Sequence, residues 1–172
     1  MTHIYFVRHG LSELNVAGRV AGVTDTPLVN EGRKQAKLAG KAAKKLGIEY
    51  IICSPLSRAQ DTAKIIAKEI GYPEDKIEVN PMFIERNFGE REGEPYVPDF
   101  DYDGIKDAEK LVDFLSRAER AVQYLETLPY SKIMVVSHGA TGRALRHHLV
   151  PDQPYNIRLK YDNAKIIEWD LT

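Results

Sequence analysis

The sequence predicts an α/β fold with a mostly parallel central sheet, and three observations lead to it. Three short, continuous apolar runs, Ile4-Tyr5-Phe6-Val7, Tyr50-Ile51-Ile52-Cys53 and Ile133-Met134-Val135-Val136, have the length and composition of parallel strands covered on both faces. Helical periodicity fills the intervals between them, so strands and helices alternate. The 172 residues, 43% of them apolar, are enough for a substantial core and suit one domain spanning residues 1–172.

In chain order, the Ile4 run is the first strand and gives way to Arg8-His9-Gly10. Asn30 is placed to cap a helix whose inner face carries Ala36, Ala39, Ala43 and Leu46, with Gly47 as its stop. After the Tyr50 strand, Ser54-Pro55 reads as a cap followed by a first-turn proline. Leu56, Ala59, Ala63, Ile66 and Ile70 then keep helical spacing as far as Gly71. Ile77-Glu78-Val79 is a further short strand. Residues 88–104 are rich in Glu, Asp, Gly and Pro, with Tyr96, Phe100 and Tyr102 interspersed. They read as a long, acidic, variable surface loop, a kind that is often functional inside a domain. A longer helix is expected from about residue 106 to 127, with Leu111, Phe114, Ala118, Val122 and Leu125 facing inward. A short helix follows His138-Gly139 and stops before Pro151. Ile157, Leu159 and Tyr161 alternate with polar residues, and residues 165–171 follow a turn-like Asp162-Asn163. This end of the chain is expected to add one or two half-exposed or antiparallel edge strands.

Composition narrows the function classes. A net charge of −1 gives no global pull toward nucleic acid or an acidic membrane surface. No stretch approaches the ~18 apolar residues of a membrane span. The first residues lack the basic and apolar regions of a signal peptide. Cys53 is the only cysteine, which rules out an internal disulfide framework and fits a reducing compartment. The expectation is a cytoplasmic protein with a small-molecule partner. The sequence does not fix its oligomeric state.

Ligands of open α/β sheets bind outside the carboxyl ends of the strands. Arg8-His9-Gly10 follows the first strand, Ser54-Pro55-Leu56-Ser57-Arg58 the second, and Ser137-His138-Gly139 the Ile133 strand. A lone histidine after a strand is ordinary. Three polar, cationic strand ends on one edge would repel one another without an anion. Arg58 falls in the first turn of its helix, where the macrodipole disfavours a cation unless an anion is bound there too. Guanidinium groups also match phosphate oxygens in bidentate geometry. Gly10 and Gly139 leave room for tight turns and for a ligand to approach the backbone.

With these segments in order, the chain resembles the histidine phosphatase superfamily, the group that includes cofactor-dependent phosphoglycerate mutases. The resemblance is carried by Arg8-His9-Gly10, Asn15 and Gly22-Val23-Thr24-Asp25-Thr26-Pro27-Leu28, with Gly32 and Gln35-Ala36 beyond. It continues through Ser54-Pro55-Leu56-Ser57-Arg58-Ala59-Gln60-Asp61-Thr62-Ala63, then Glu85, Phe88-Gly89 and Glu92-Gly93, and ends in Val136-Ser137-His138-Gly139. Leu11 stands where members often carry an acid, and Glu90-Arg91 where they often carry an aromatic. The resemblance implies a three-layer α/β/α, phosphoglycerate mutase-like fold. It also implies a metal-independent phosphomonoester hydrolase without a cofactor, acting on a small phosphorylated substrate.

The roles it implies suit the residue types. A neutral imidazole is a nucleophile near pH 7, so His9 would form a transient phosphohistidine. Arg8, Arg58 and His138 would hold the phosphoryl oxygens, with Asn15 and Gly139 completing the substrate site. Glu85 would protonate the leaving alkoxide and then activate water, a role that asks for a carboxyl of raised pKa. Cysteine chemistry fits poorly, because Cys53 and Arg58 are one residue too close for a Cys-x5-Arg loop, and Cys53 reads as a buried small hydrophobe. Metal-ligand spacing is absent, since His147 and His148 are adjacent and diverge on a helix. Two alternatives stay open: a mutase-type phosphotransferase, and a non-catalytic phosphate-binding module. A mutase must hold two anionic groups, whereas residues 90–107 hold seven acids against Arg91 and Lys106. That composition favours the hydrolase.

Overall fold

The computed structural model describes residues 1–171. Strands β1 (Thr2–Arg8), β2 (Tyr50–Cys53), β3 (Glu78–Val79), β4 (Lys132–Ser137) and β5 (Ile166–Leu171) form one five-stranded sheet in the order β3-β2-β4-β1-β5. β1, β2, β3 and β4 run parallel, and β5 pairs antiparallel with β1 at the edge. The helices are α1 (Glu13–Val16), α2 (Asn30–Ala43), α3 (Ser57–Ile70), α4 (Leu111–Thr127) and α5 (Gly139–Leu149).

Strand alternation divides the core into two layers. Tyr5, Val7, Ile51, Cys53, Met134 and Val136 face α2 and α3, where Ala39, Ala43, Ala59, Ala63 and Ile66 meet them. Ile4, Phe6, Ile52, Ile133 and Val135 face α4 and α5, against Phe114, Ala118, Val122, Leu125, Ala144 and Leu145. The architecture is therefore three-layer α/β/α around a mostly parallel sheet, as expected. Apolar residues cover both faces of the central strands, which is why each reads as a continuous apolar run. Among the described residues, no helix is long and apolar enough to cross a membrane.

Four local expectations are corrected. Ser54-Pro55 does not open α3, which starts at Ser57. The Ser54 hydroxyl is 2.7 Å from His138 Nε2, and Asp25 supplies the cap instead, its Oδ1 accepting from the Ser57 N–H (2.9 Å) and hydroxyl (2.6 Å). Asn30 is the first residue of α2 rather than its cap, and the helix ends at Ala43, so Leu46 packs from the following turn. α4 begins at Leu111, not near residue 106. Asp107 has a φ of 62°, which breaks helical geometry, and Asp103 Oδ1 accepts from the Leu111 N–H at 2.7 Å. Finally, Ile157, Leu159 and Tyr161 form no strand. Tyr161 leaves the chain's surface to pack against Phe6, with ring centroids 5.3 Å apart. The strand near the end of the chain is β5 alone.

Candidate active site

The carboxyl ends of β1, β2 and β4 converge, and the backbone continues their ladder one step: the His9 N–H donates to Ser137 O at 2.9 Å. His9 is buried, at 3% exposure. Its Nδ1 lies 2.7 Å from the Gly10 carbonyl, and Arg58 Nε donates toward its Nε2 at 3.3 Å. A carbonyl only accepts, so Nδ1 carries the proton and Nε2 keeps its lone pair. Burial, followed by the positive charges of Arg58 and Arg8, holds the His9 pKa well below the ordinary 6.5. The side chain is therefore neutral near pH 7, with its basic nitrogen unprotonated.

The turn that carries His9 depends on an unusually close approach. A Cβ on Gly10 would lie 2.4 Å from the Gly32 carbonyl oxygen, and one on Gly32 would lie 2.1 Å from Leu11 O. The Gly10 N–H donates to Thr62 Oγ1 at 3.0 Å, which ties the same turn to α3.

Arg58 is 1% exposed. Its guanidinium also donates to Thr24 O (2.8 Å) and Gly22 O (2.6 Å), so the glycine-containing loop before α2 fixes it beside His9. Glu92 holds that loop in turn, accepting from the Val23 and Thr24 N–H groups at 3.0 and 2.8 Å. Arg8 donates from Nη1 to Tyr161 O at 2.8 Å, while its Nε is buried without a partner among the described residues. Burial works against the charge of both arginines, and Glu85 is the carboxylate that offsets it most. Two desolvated cations, with Glu85 as the one cavity-wall carboxylate close to both, suit an anionic ligand.

Glu85 follows a 3-10 turn over Pro81–Phe83. Its Oε2 accepts from the Ala140 N–H (3.1 Å). Its Oε1 accepts from the Thr141 N–H (3.0 Å), the Thr141 hydroxyl (3.0 Å) and the Arg86 N–H (2.9 Å). The carboxylate thus caps the N-terminus of α5, the end where free N–H groups and the helix dipole favour negative charge. Asn15 Oδ1 accepts from the Ser12 N–H and hydroxyl at 3.1 and 3.0 Å, which leaves its amide NH2 available to a ligand.

Arg8, His9, Asn15, Arg58, Glu85 and Gly139 all line one cavity of about 390 Å³. His138 is brought to the same place but not to the cavity wall. It is fully buried behind His9, with ring centroids 5.1 Å apart, and its Nδ1 has no partner among the described residues. Burial, then Arg58, His9 and Arg8, holds its pKa well below 6.5 as well.

Several cavity residues carried no signal in the sequence. Asn163 donates from Nδ2 to His9 O at 2.9 Å, yet in sequence it is only half of a turn-like pair. Arg19, Arg143, Lys160 and Tyr155 likewise join the wall unannounced, and they meet there Tyr161 and the loop aromatics Phe88, Tyr96, Phe100 and Tyr102, which stand out in the sequence. The acids of the loop turn elsewhere: Glu92 to the Val23 turn, Asp103 to Arg86 at 2.9 Å, and Glu90 to Lys106. Of the seven acids in residues 90–107, only Asp99 lines the cavity. Loop composition is therefore a poor guide to the charge that a substrate meets.

Known proteins resemble this chain in sequence and in fold. The sequence model of the histidine phosphatase superfamily (branch 1) matches residues 4–172. The uncharacterized phosphatase PhoE of Bacillus subtilis (strain 168) is 34% identical over 151 residues, covering 84% of this chain and 76% of that one. A probable phosphoglycerate mutase GpmB of Serratia proteamaculans (strain 568) is 32% identical over 154 residues, covering 81% and 70%. In structure, the alpha-ribazole phosphatase from Shigella flexneri superposes with a TM-score of 0.85 at 24% identity, covering 99% of this chain and 91% of that one, a likeness of fold.

Proposed function

The chain belongs to the histidine phosphatase superfamily, and on that footing we propose that it hydrolyses phosphomonoesters of small metabolites through a phosphohistidine at His9. One observation carries this reading: a buried, neutral imidazole presents an unprotonated Nε2 beside two arginines at a cavity. Nε2 attacks phosphorus in line with the ester oxygen. The N–P bond forms as the P–O bond breaks, and Glu85, which takes up a proton as the anionic ester binds beside it, gives that proton to the departing alkoxide. Glu85 then takes a proton from water, which attacks phosphorus and releases inorganic phosphate and free His9. The partners of Glu85, Ala140 and Thr141, sit on α5, whereas His9 follows β1, so the proton donor and the nucleophile are held by different elements at the cavity.

Arg8 and Arg58 neutralise the phosphoryl oxygens, assisted by the Asn15 amide, while His138 backs the His9 ring from behind. These fixed cations supply the electrostatics that a metal ion supplies in other phosphatases, so the reaction proceeds without a metal. The aromatic wall faces the alcohol portion of the substrate. Tyr96 and Val97 on the cavity rim are 50% and 44% exposed, and an uncovered rim suits hydrolysis better than the shielded phosphohistidine that a mutase needs. A cytoplasmic setting and one domain over residues 1–172 complete the proposal, supported by the reduced, buried Cys53 and by the single sheet that both core layers share.

The test is turnover of p-nitrophenyl phosphate in EDTA, with inhibition by vanadate. His9→Ala is expected to lower kcat/KM by about a thousandfold or more. A fully active His9→Ala protein would remove the nucleophile assignment. Transfer of the phosphoryl group to a second alcohol, with no release of inorganic phosphate, would replace the hydrolase by the mutase.

A further inference from the structure

Glu85 lies on a segment without regular structure, yet its position is set from outside that segment. The source is Arg117, in the second turn of α4. Its guanidinium has five N–H donors, and the structure uses all of them. Nη1 donates to Met82 O and Ile84 O, both at 2.9 Å. Nη2 donates to Glu85 O at 3.3 Å and to Glu109 Oε1 at 2.9 Å. Nε donates to Glu109 Oε2 at 3.0 Å. One side chain, 14% exposed, therefore gathers three carbonyls of the turn that ends in Glu85, and Glu109 orients it through a two-point ion pair.

We propose that Arg117, held by Glu109, is a positioning residue for proton transfer by Glu85. The inference rests on the role given to Glu85 above. The three carbonyls need donors in any case, because buried backbone acceptors are costly to leave unpaired. A scatter of waters or backbone groups could supply those donors. A single rigid fork does more, because it fixes the carbonyls of residues 82, 84 and 85 relative to one another and to α4. The opposite side of Glu85 is fixed by α5, through the Ala140 and Thr141 donors, and the Thr141 hydroxyl shares its one proton between Glu85 Oε1 and Ile84 O, the latter at 2.8 Å. The α4–α5 pair thus grips Glu85 by its backbone on one side and its carboxylate on the other. Catalytic geometry is sensitive to displacements of the order of 1 Å, and lysine, with three donors on a flexible stem, cannot reproduce the fork.

The experiment compares kcat/KM, which reports formation of the phosphohistidine, for an alkyl phosphate and for p-nitrophenyl phosphate. The alkoxide needs a proton and the nitrophenolate does not. Arg117→Lys is expected to slow the alkyl phosphate by about tenfold more than the aryl phosphate. In a Glu85→Gln background it should add less than about twofold to either. Equal losses on both substrates, or full multiplication with Glu85→Gln, would overturn the positioning role and leave a structural one. If Arg117→Lys fails to fold by circular dichroism, Glu109→Gln, which loosens the fork while keeping its carbonyl bonds, is read by the same two criteria. Loss of selectivity in Glu85→Gln itself would remove the acid role and this inference together. A selective Glu85→Gln with an unselective Arg117→Lys would remove this inference alone.

Discussion

The tautomer of His9 is set by one contact, the 2.7 Å approach of Nδ1 to the Gly10 carbonyl, and its charge by burial between two arginines. Both have a consequence for pH. In the proposed mechanism the neutral form is the nucleophile, and its pKa lies below 6.5, so kcat/KM should stay flat as pH falls through 6.5 and decline only at lower pH. A pH–rate profile checks this, once corrected for the second ionisation of the phosphate ester near about 6. An acid limb centred at or above 6.5 would contradict the assignment. Cys53 gives a second expectation at this scale. Burial pushes its thiol up to about 12, so a thiol reagent at neutral pH should label the unfolded chain and spare the native one. The residues legible in the sequence were Arg8, His9, Arg58, His138 and Gly139, near strand ends, and Asn15 and Glu85, through the family resemblance. Asn163 was not legible, because it reaches the site from the far end of the chain, and Arg143 was passed over although it lies one helical turn beyond Gly139 on α5. His138 was legible as a site residue, but its place behind His9 rather than on the cavity wall depends on the packing of β4 against β1, which no local pattern encodes.

At the scale of elements, the informative feature is that helix starts are set by groups far away in sequence. Ser54 has the chemistry of an N-cap, and tertiary structure takes it for His138 instead. Asp25 then caps α3 across 32 residues. Local propensity marked the presence of the helix and misplaced its start for that reason, and the same holds for α4, which Asp103 caps from within the acidic loop. Asp25→Ala should therefore cost about 1 kcal/mol, a drop in Tm of roughly 2–4 °C, and raise KM as the first turn of α3 loses its hold on Arg58. Thermal denaturation and steady-state kinetics check the two parts. Gly32→Ala acts on another junction. Its Cβ would meet the Leu11 carbonyl oxygen at 2.1 Å, so backbone must move. A destabilisation of about 1–3 kcal/mol is expected, accompanied by a larger loss of kcat/KM than of stability, because the displaced turn carries His9. Wild-type kinetics in a folded Gly32→Ala protein would show that the turn tolerates the shift.

Over the whole molecule, the sheet order was only partly legible. Continuous apolar runs identified β1, β2 and β4, and right-handed crossovers make them parallel. The sequence gives no register, however, and it does not say that β5 returns to lie beside β1 rather than beside β3. That return matters for stability as well as for the site. His9 and His138 are both buried and neutral in the fold, whereas the unfolded chain protonates them near 6.5. With folded pKa values below the unfolded ones, the unfolded state binds more protons under acid conditions. Stability is then complete above pH 6.5 and falls as pH drops below it, by about 1.4 kcal/mol per pH unit for each histidine until the folded pKa is reached. Urea midpoints between pH 7.5 and 5.5 should show this decline, and His9→Gln should reduce its slope. The position of β5 also has an optical consequence. Trp169, the only tryptophan, stacks on Phe6 with ring centroids 5.1 Å apart and meets Tyr161 edge-on, while the Tyr161 carbonyl holds Arg8. The protein therefore carries a native fluorophore two contacts from its proposed anion site, whose emission should report both the peeling of the sheet edge during denaturation and the arrival of vanadate at Arg8, without any label.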